Sequence, residues 1–238
     1  MLPADKAKLI AFYEAGLARY GPGDPRSLHW ISQETQRIRF QVLYGLGPWE
    51  GVSVADIGCG LGDFCGYLQE QGHLVLPLEV PSFKSSKAVT AASAKGRGPQ
   101  PAEGGHAGGV VRYAGYDISP QMIAAASLKY PQGHFQVRDI LESGLETPCD
   151  YVVASGTLNI RVADHERFFQ AMVTAMYRGC LRGVAFNFLG PPRPDPWSDS
   201  RYYSADPDAT LAFCRTLSPQ VFLMEGYLHD DYTVYMHK

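Results

Sequence analysis

The chain has no excess of charge of either sign: 21 lysines and arginines face 24 aspartates and glutamates in 238 residues, a formal charge of -3. Its basic residues form no run, so the electrostatic footprint of a nucleic-acid binder is missing and neither RNA nor DNA is expected as a partner. It lacks an apolar run long enough to span a bilayer, and Met1 to Lys6 lacks the basic-then-apolar order of a secretion signal. No membrane association is expected, and the cytoplasm is the expected location. Cysteine is scarce: Cys59, Cys65, Cys149, Cys180 and Cys214 are odd in number and include no Cys-x-x-Cys pair. That suits reduced thiols better than a disulfide framework or a zinc site, and no structural metal is expected.

What is present is enough apolar material, 45% of the residues, for one sizeable core. Leu9, Ile10, Tyr13 and Leu17 recur at helical spacing, and Gly21-Pro22-Gly23-Asp24-Pro25 breaks the chain before a second helical stretch from about Leu28 to Tyr44. Val52 to Ile57 reads as a short buried strand, turned by glycines into a helix from near Asp63. The alternation then repeats, with strands at Val111 to Asp117, Phe135 to Arg138, Tyr151 to Ala154 and Gly183 to Phe188, and helices between them. A mostly parallel α/β sheet with crossover helices follows. Asp206 to Leu217 supplies a last helix, and Val221 to Glu225 with Tyr232 to Met236 a closing antiparallel pair. From about 81 to 109 the chain is rich in Ser, Lys, Ala, Gly and Pro and poor in large apolar residues, which predicts a disordered insertion.

The strongest chemical signal is Asp56-Ile57-Gly58-Cys59-Gly60-Leu61-Gly62, where a strand ends and a helix begins. Glycines there allow a tight turn and close ligand approach, and the helix start offers free N–H groups. A dinucleotide fingerprint would need a glycine at position 63, where this chain has aspartate. A carboxylate there suits a ligand carrying ammonium and sulfonium charge better than a diphosphate. This disfavours a nicotinamide-dependent oxidoreductase.

Ala55 to Phe64 resembles the first motif of class I S-adenosylmethionine-dependent methyltransferases, and Gly115 to Ile123 resembles their second. The resemblance implies that Asp56, Gly58, Cys59, Gly60 and Gly62 border S-adenosyl-L-methionine, and that Asp117, with Ile118 beside it, accepts from the ribose hydroxyls. Phe135 to Ile140 resembles the third motif, so Asp139 and Ile140 would meet the adenine; Tyr151 to Asn159 resembles the fourth strand, with Ser155 and Gly156 at the methionine end. The implied fold is Rossmann-like: a seven-stranded, mostly parallel sheet with an antiparallel C-terminal strand, an N-terminal helical cap (1–48) and a donor-binding domain (49–238). One spacing departs from the family. The ribose acid usually follows the glycine loop by ~20 residues; Asp117 follows Gly62 by 55, whereas Glu79 follows it by 17. Glu79 has a proline in its would-be strand and no helix after it, so Asp117 is preferred and the stretch between is read as inserted.

In this family an acceptor lone pair is aligned with the sulfonium methyl in a dry pocket. Acceptor-side candidates at the ends of the fourth and fifth strands are Asn159, Arg161 and Asn187, with Trp197 to Tyr203 as aromatic walls and His229 as a base. Asn159 and His229 are the catalytic candidates. Trp30, Gln36 and Arg39 fall on the second helix, where Arg39 would hold the methionine carboxylate bidentately. The segment after the fourth strand, Ser155-Gly156-Thr157-Leu158, lacks the Asn/Asp-Pro-Pro-aromatic tetrad of enzymes that methylate nucleic-acid amines. The reading is methyl transfer to O or N of a small molecule. Its alternatives are a donor-binding protein without catalysis and a methylating subunit directed at a protein.

Overall fold

The computed structural model describes residues 1–79, 108–191 and 200–238. Among the described residues eight strands form one sheet. In chain order they are β1 (Val52–Ile57), β2 (Leu74–Pro77), β3 (Val110–Asp117), β4 (His134–Val137), β5 (Cys149–Ala154), β6 (Cys180–Leu189), β7 (Gln220–Glu225) and β8 (Asp231–His237). They lie in the order β2-β3-β1-β5-β6-β8-β7, with β4 also on β3. All pairings are parallel except those of β8 with β6 and β7. The sheet therefore has seven positions across and eight strands, one more than expected. β2 pairs with the first half of β3 and β4 with the second, so two short strands share one position. Pro77 ends β2 at the sheet's edge, where a missing N–H is tolerated, and Glu79 lies beyond the strand.

β1 and β5 are nearly continuous runs of buried residues because both faces of a parallel sheet are covered. One face is closed by α6 (His165–Gly179) and α7 (Pro207–Leu217): Phe168, Met172, Val173, Leu211 and Cys214 pack with Val152, Val184 and Phe186. The other is closed by α2 (Gln33–Tyr44) and α3 (Asp63–Glu70), whose Phe40, Leu43, Phe64 and Leu68 meet Val54, Val153 and Tyr235. The second helix starts five residues later than its apolar pattern suggests. Pro25–Leu28 forms a 3-10 turn, and Ser32 then caps α2 by accepting from the Thr35 N–H. Trp30 consequently lies before α2 rather than on it.

α1 (Pro3–Tyr20) crosses the carboxyl end of the sheet. It is pinned at one end by Lys6, 3.0 Å from both Asp139 and Glu142. Further along, Glu14 accepts from Ser119 Oγ (2.8 Å) and Gln121 Nε2 (2.9 Å) at the start of α4 (Pro120–Lys129). The expected insertion at about 81–109 lies outside the described residues apart from its last two positions, as does Trp197. No described helix is long and apolar enough to cross a membrane.

Candidate functional site

The carboxyl ends of β1, β3 and β5 open into a cavity roofed by α1 and the segment leading to α2. Its floor is the β1–α3 turn. Gly58 and Gly60 hold φ of 68° and 52°, and a methyl group would strike the Thr157 side chain at the first and lie 2.9 Å from Leu28 Cδ2 at the second. Only glycine fits both the torsion and the space. Gly62 (φ 74°) caps α3 just outside the cavity, where a Cβ would lie 2.8 Å from the Phe135 ring.

Asp117 ends β3 beside this turn. Its Oδ2 accepts from the Gly60 N–H at 3.0 Å and its Oδ1 from the Ser119 N–H at 2.9 Å, which leaves lone pairs on both oxygens. Burial raises its pKa, and the N–H groups of Ser119, Gly60 and Ile118 oppose that rise by favouring the charged form. Asp56 is more deeply perturbed. Burial pushes it up to about 7, although the Tyr113 hydroxyl donates to it at 2.7 Å; the charges of Asp117 and Asp63 push the same way as burial.

Asp139 divides its oxygens, Oδ1 accepting from the Leu141 N–H at 2.9 Å and Oδ2 meeting Lys6 at 3.0 Å. Asp63 meets Lys129 at 2.5 Å and accepts from Gln36 Nε2 at 3.0 Å. Asn187 accepts from the Gly156 N–H at 2.7 Å and donates to Ser155 Oγ at 3.1 Å, so it fixes the β5 turn rather than facing an acceptor.

The structure therefore brings Asp56, Gly58, Cys59, Gly60, Asp117, Ile118, Asp139, Ile140, Ser155, Gly156 and Asn159 to one cavity. Gly62 lies just outside it, and Arg39, His229 and Arg161 fall elsewhere. Arg39 does not line the cavity: it pairs with Asp231 at the start of β8 at 2.5 Å, donates to the Thr35 carbonyl at 3.2 Å, and stacks on Trp30 at 4.7 Å. Its charge is neutralised inside the protein and is not free for a ligand carboxylate. His229 sits on the β7–β8 turn with 62% of its side chain exposed, paired with Asp230, so it cannot act as a base in the cavity. Arg161 is likewise occupied, donating to the carbonyls of Ser200 (3.3 Å) and Tyr202 (3.1 Å).

Sequence reasoning missed much of the wall. Leu9 and Tyr13 of α1, Leu28 of the connecting segment, and Phe168 and Met172 of α6 all border the cavity, whereas Trp30 was among the residues the sequence singled out. The helical periodicity of Leu9 and Tyr13 was legible, but a core-facing stripe and a ligand-facing stripe have the same spacing.

No family model matches the chain. A relative from Mycobacterium tuberculosis (strain ATCC 25618 / H37Rv), named "Putative methyltransferase Rv1506c", is 26% identical over 191 residues, covering 78% of this chain and 93% of the relative. Among solved structures, magnesium protoporphyrin IX methyltransferase from Synechocystis PCC 6803 with bound SAH superposes with a TM-score of 0.60 at 15% identity, over 98% of this chain and 99% of that one. A DhpI–SAM–HEP complex superposes at 0.58 and 13%, over 95% and 94%. Strand order and these likenesses show the Rossmann-like methyltransferase fold, and the order of the four motifs along the chain makes it similar to the class I S-adenosylmethionine-dependent methyltransferases.

Proposed function

We propose that the protein transfers the methyl group of S-adenosylmethionine to an oxygen or nitrogen atom of a small molecule. The observation that carries this reading is the Asp117 carboxylate, held at a strand end by the Gly60 N–H of the glycine turn and facing the same cavity as that turn. Asp117 binds the ribose hydroxyls. Asp139 and the Ile140 N–H receive the adenine. Ser155 and Gly156, locked by Asn187, border the methionine end, and Asp56 attracts its ammonium group. The donor supplies an electrophilic methyl carbon: the acceptor lone pair bonds to it, the carbon–sulfur pair passes to sulfur, and the acceptor's proton leaves to water. The chain's own task is to align the two and exclude water. Asn159, 5% exposed and fixed through Oδ1 to the Leu189 N–H at 3.3 Å, orients the acceptor.

The absence of the nucleic-acid tetrad and of a basic run supports a small acceptor, and five buried unpaired cysteines support the cytoplasm as the place of work. Calorimetric titration with S-adenosylmethionine, S-adenosylhomocysteine and NADH tests the reading. Micromolar binding of the first two and none of the third is expected; NADH binding alone would overturn it.

A further inference from the structure

We infer that the acceptor is an uncharged, largely apolar molecule, held among rings and aliphatic side chains rather than by a fixed cation. The inference rests on the methyltransferase reading above and deepens it. An anionic acceptor, such as a carboxylate or phosphate ester, would lose its hydration on entering the cavity and would need an unspent cation to replace it.

Among the described residues around the cavity, the lysine and arginine side chains are already engaged. Lys6 meets Asp139 at 3.0 Å, Lys129 meets Asp63 at 2.5 Å and Arg39 meets Asp231 at 2.5 Å. Arg138, which borders the cavity, donates to the Gly144 carbonyl at 2.6 Å and lies 3.5 Å from Glu146. Arg161 is held by two carbonyls.

Two carboxylates in the cavity, Asp56 and Asp117, have no cationic partner among the described residues. When ionised they make the field inside negative, which repels an anion and accommodates the positive donor. The walls fit this assignment. Trp30 covers Gly156 so closely that a Cβ there would lie 2.7 Å from the indole. Tyr202 lies beside the Asn159 loop through its bridge to Ile160, and Phe168 and Met172 continue the lining. Polar recognition is left to neutral groups, the Asn159 amide and the Tyr13 hydroxyl, whose pKa burial raises so that it stays protonated.

The test uses a matched pair of probes, 2-naphthol and 2-naphthoate, titrated at neutral pH into the full chain saturated with S-adenosylhomocysteine. The first is uncharged there and the second is an anion of similar shape. Naphthol should bind at least tenfold more tightly. Equal or tighter binding of naphthoate, or no binding of naphthol, overturns the inference while leaving the donor site intact. Failure of S-adenosylhomocysteine to bind at all overturns the methyltransferase reading itself. Tyr202→Arg, which adds a cation at the wall, should cut the preference to threefold or less; an unchanged preference refutes the electrostatic cause.

Discussion

Asp56→Asn should make the protein more stable at pH 8 and a poorer donor binder. Asp56 is 4% exposed, and no cation offsets its charge; burial raises its pKa from an ordinary 3.8 to about 7. The folded state thus holds the proton more tightly than the unfolded chain. Stability is least affected below the unfolded value, declines as pH rises between the two values, and carries the whole penalty above about 7. With about 1.4 kcal/mol per pKa unit, ionising this group costs the fold on the order of 4 kcal/mol at pH 8 and about 1 kcal/mol at pH 4.5. Asparagine keeps an oxygen to accept the Tyr113 hydroxyl and carries no charge. For a chain of this length the gain corresponds to a melting temperature raised by roughly 8–16 °C at pH 8 and by only a few degrees at pH 4.5. Differential scanning calorimetry at the two pH values reads both numbers. A variant that melts at or below the wild type at pH 8, or whose advantage is the same at both, would refute the reasoning.

Asp117→Ala should weaken S-adenosylmethionine binding by ~1–3 kcal/mol, read by calorimetry, through loss of charge-assisted hydrogen bonds; unchanged affinity contradicts its ribose role. Gly58→Ala should reduce donor affinity and stability together, since φ of 68° and the Thr157 side chain both oppose a methyl group, at a cost of ~1–3 kcal/mol in urea unfolding. Asp231→Ala should destabilise by ~3–5 kcal/mol because Arg39 is left charged and buried, whereas the double change Arg39→Met with Asp231→Leu should cost clearly less. If that double variant loses more than tenfold in donor affinity, Arg39 does after all reach the donor.

The elements whose identity is fixed by neighbours in the chain were legible. β1, its glycine turn and α3 followed from a run of β-formers, three glycines and a helix start. Asp117 is preferred over Glu79 because a helix follows its strand; in the structure Ser119 caps that helix, α4, with Pro120 at its start. The strand at 74–77 was discounted for its proline, which is harmless at an edge where β4 takes over the rest of β3. Arg39 and His229 failed for a different reason. Residue type and approximate position suggested a role, but what an arginine pairs with is decided by the strand that arrives beside it, here β8 with Asp231, nearly two hundred residues later. The same holds for the roof: only the tertiary path of α1 brings Tyr13 above Asp117.

The charge of the cavity bears on turnover as well as on acceptor choice. The donor brings a sulfonium and an ammonium against one carboxylate, whereas its demethylated product has lost the sulfonium charge. With the donor placed as proposed, ionised Asp56 and Asp117 would attract it more strongly than the product by the Coulomb energy of that one charge. The discrimination is greatest when Asp56 is ionised and shrinks as pH falls below about 7 and it takes up a proton. On the proposed placement, the buried carboxylate that weakens the fold at pH 8 is the same group that favours exchange of product for donor.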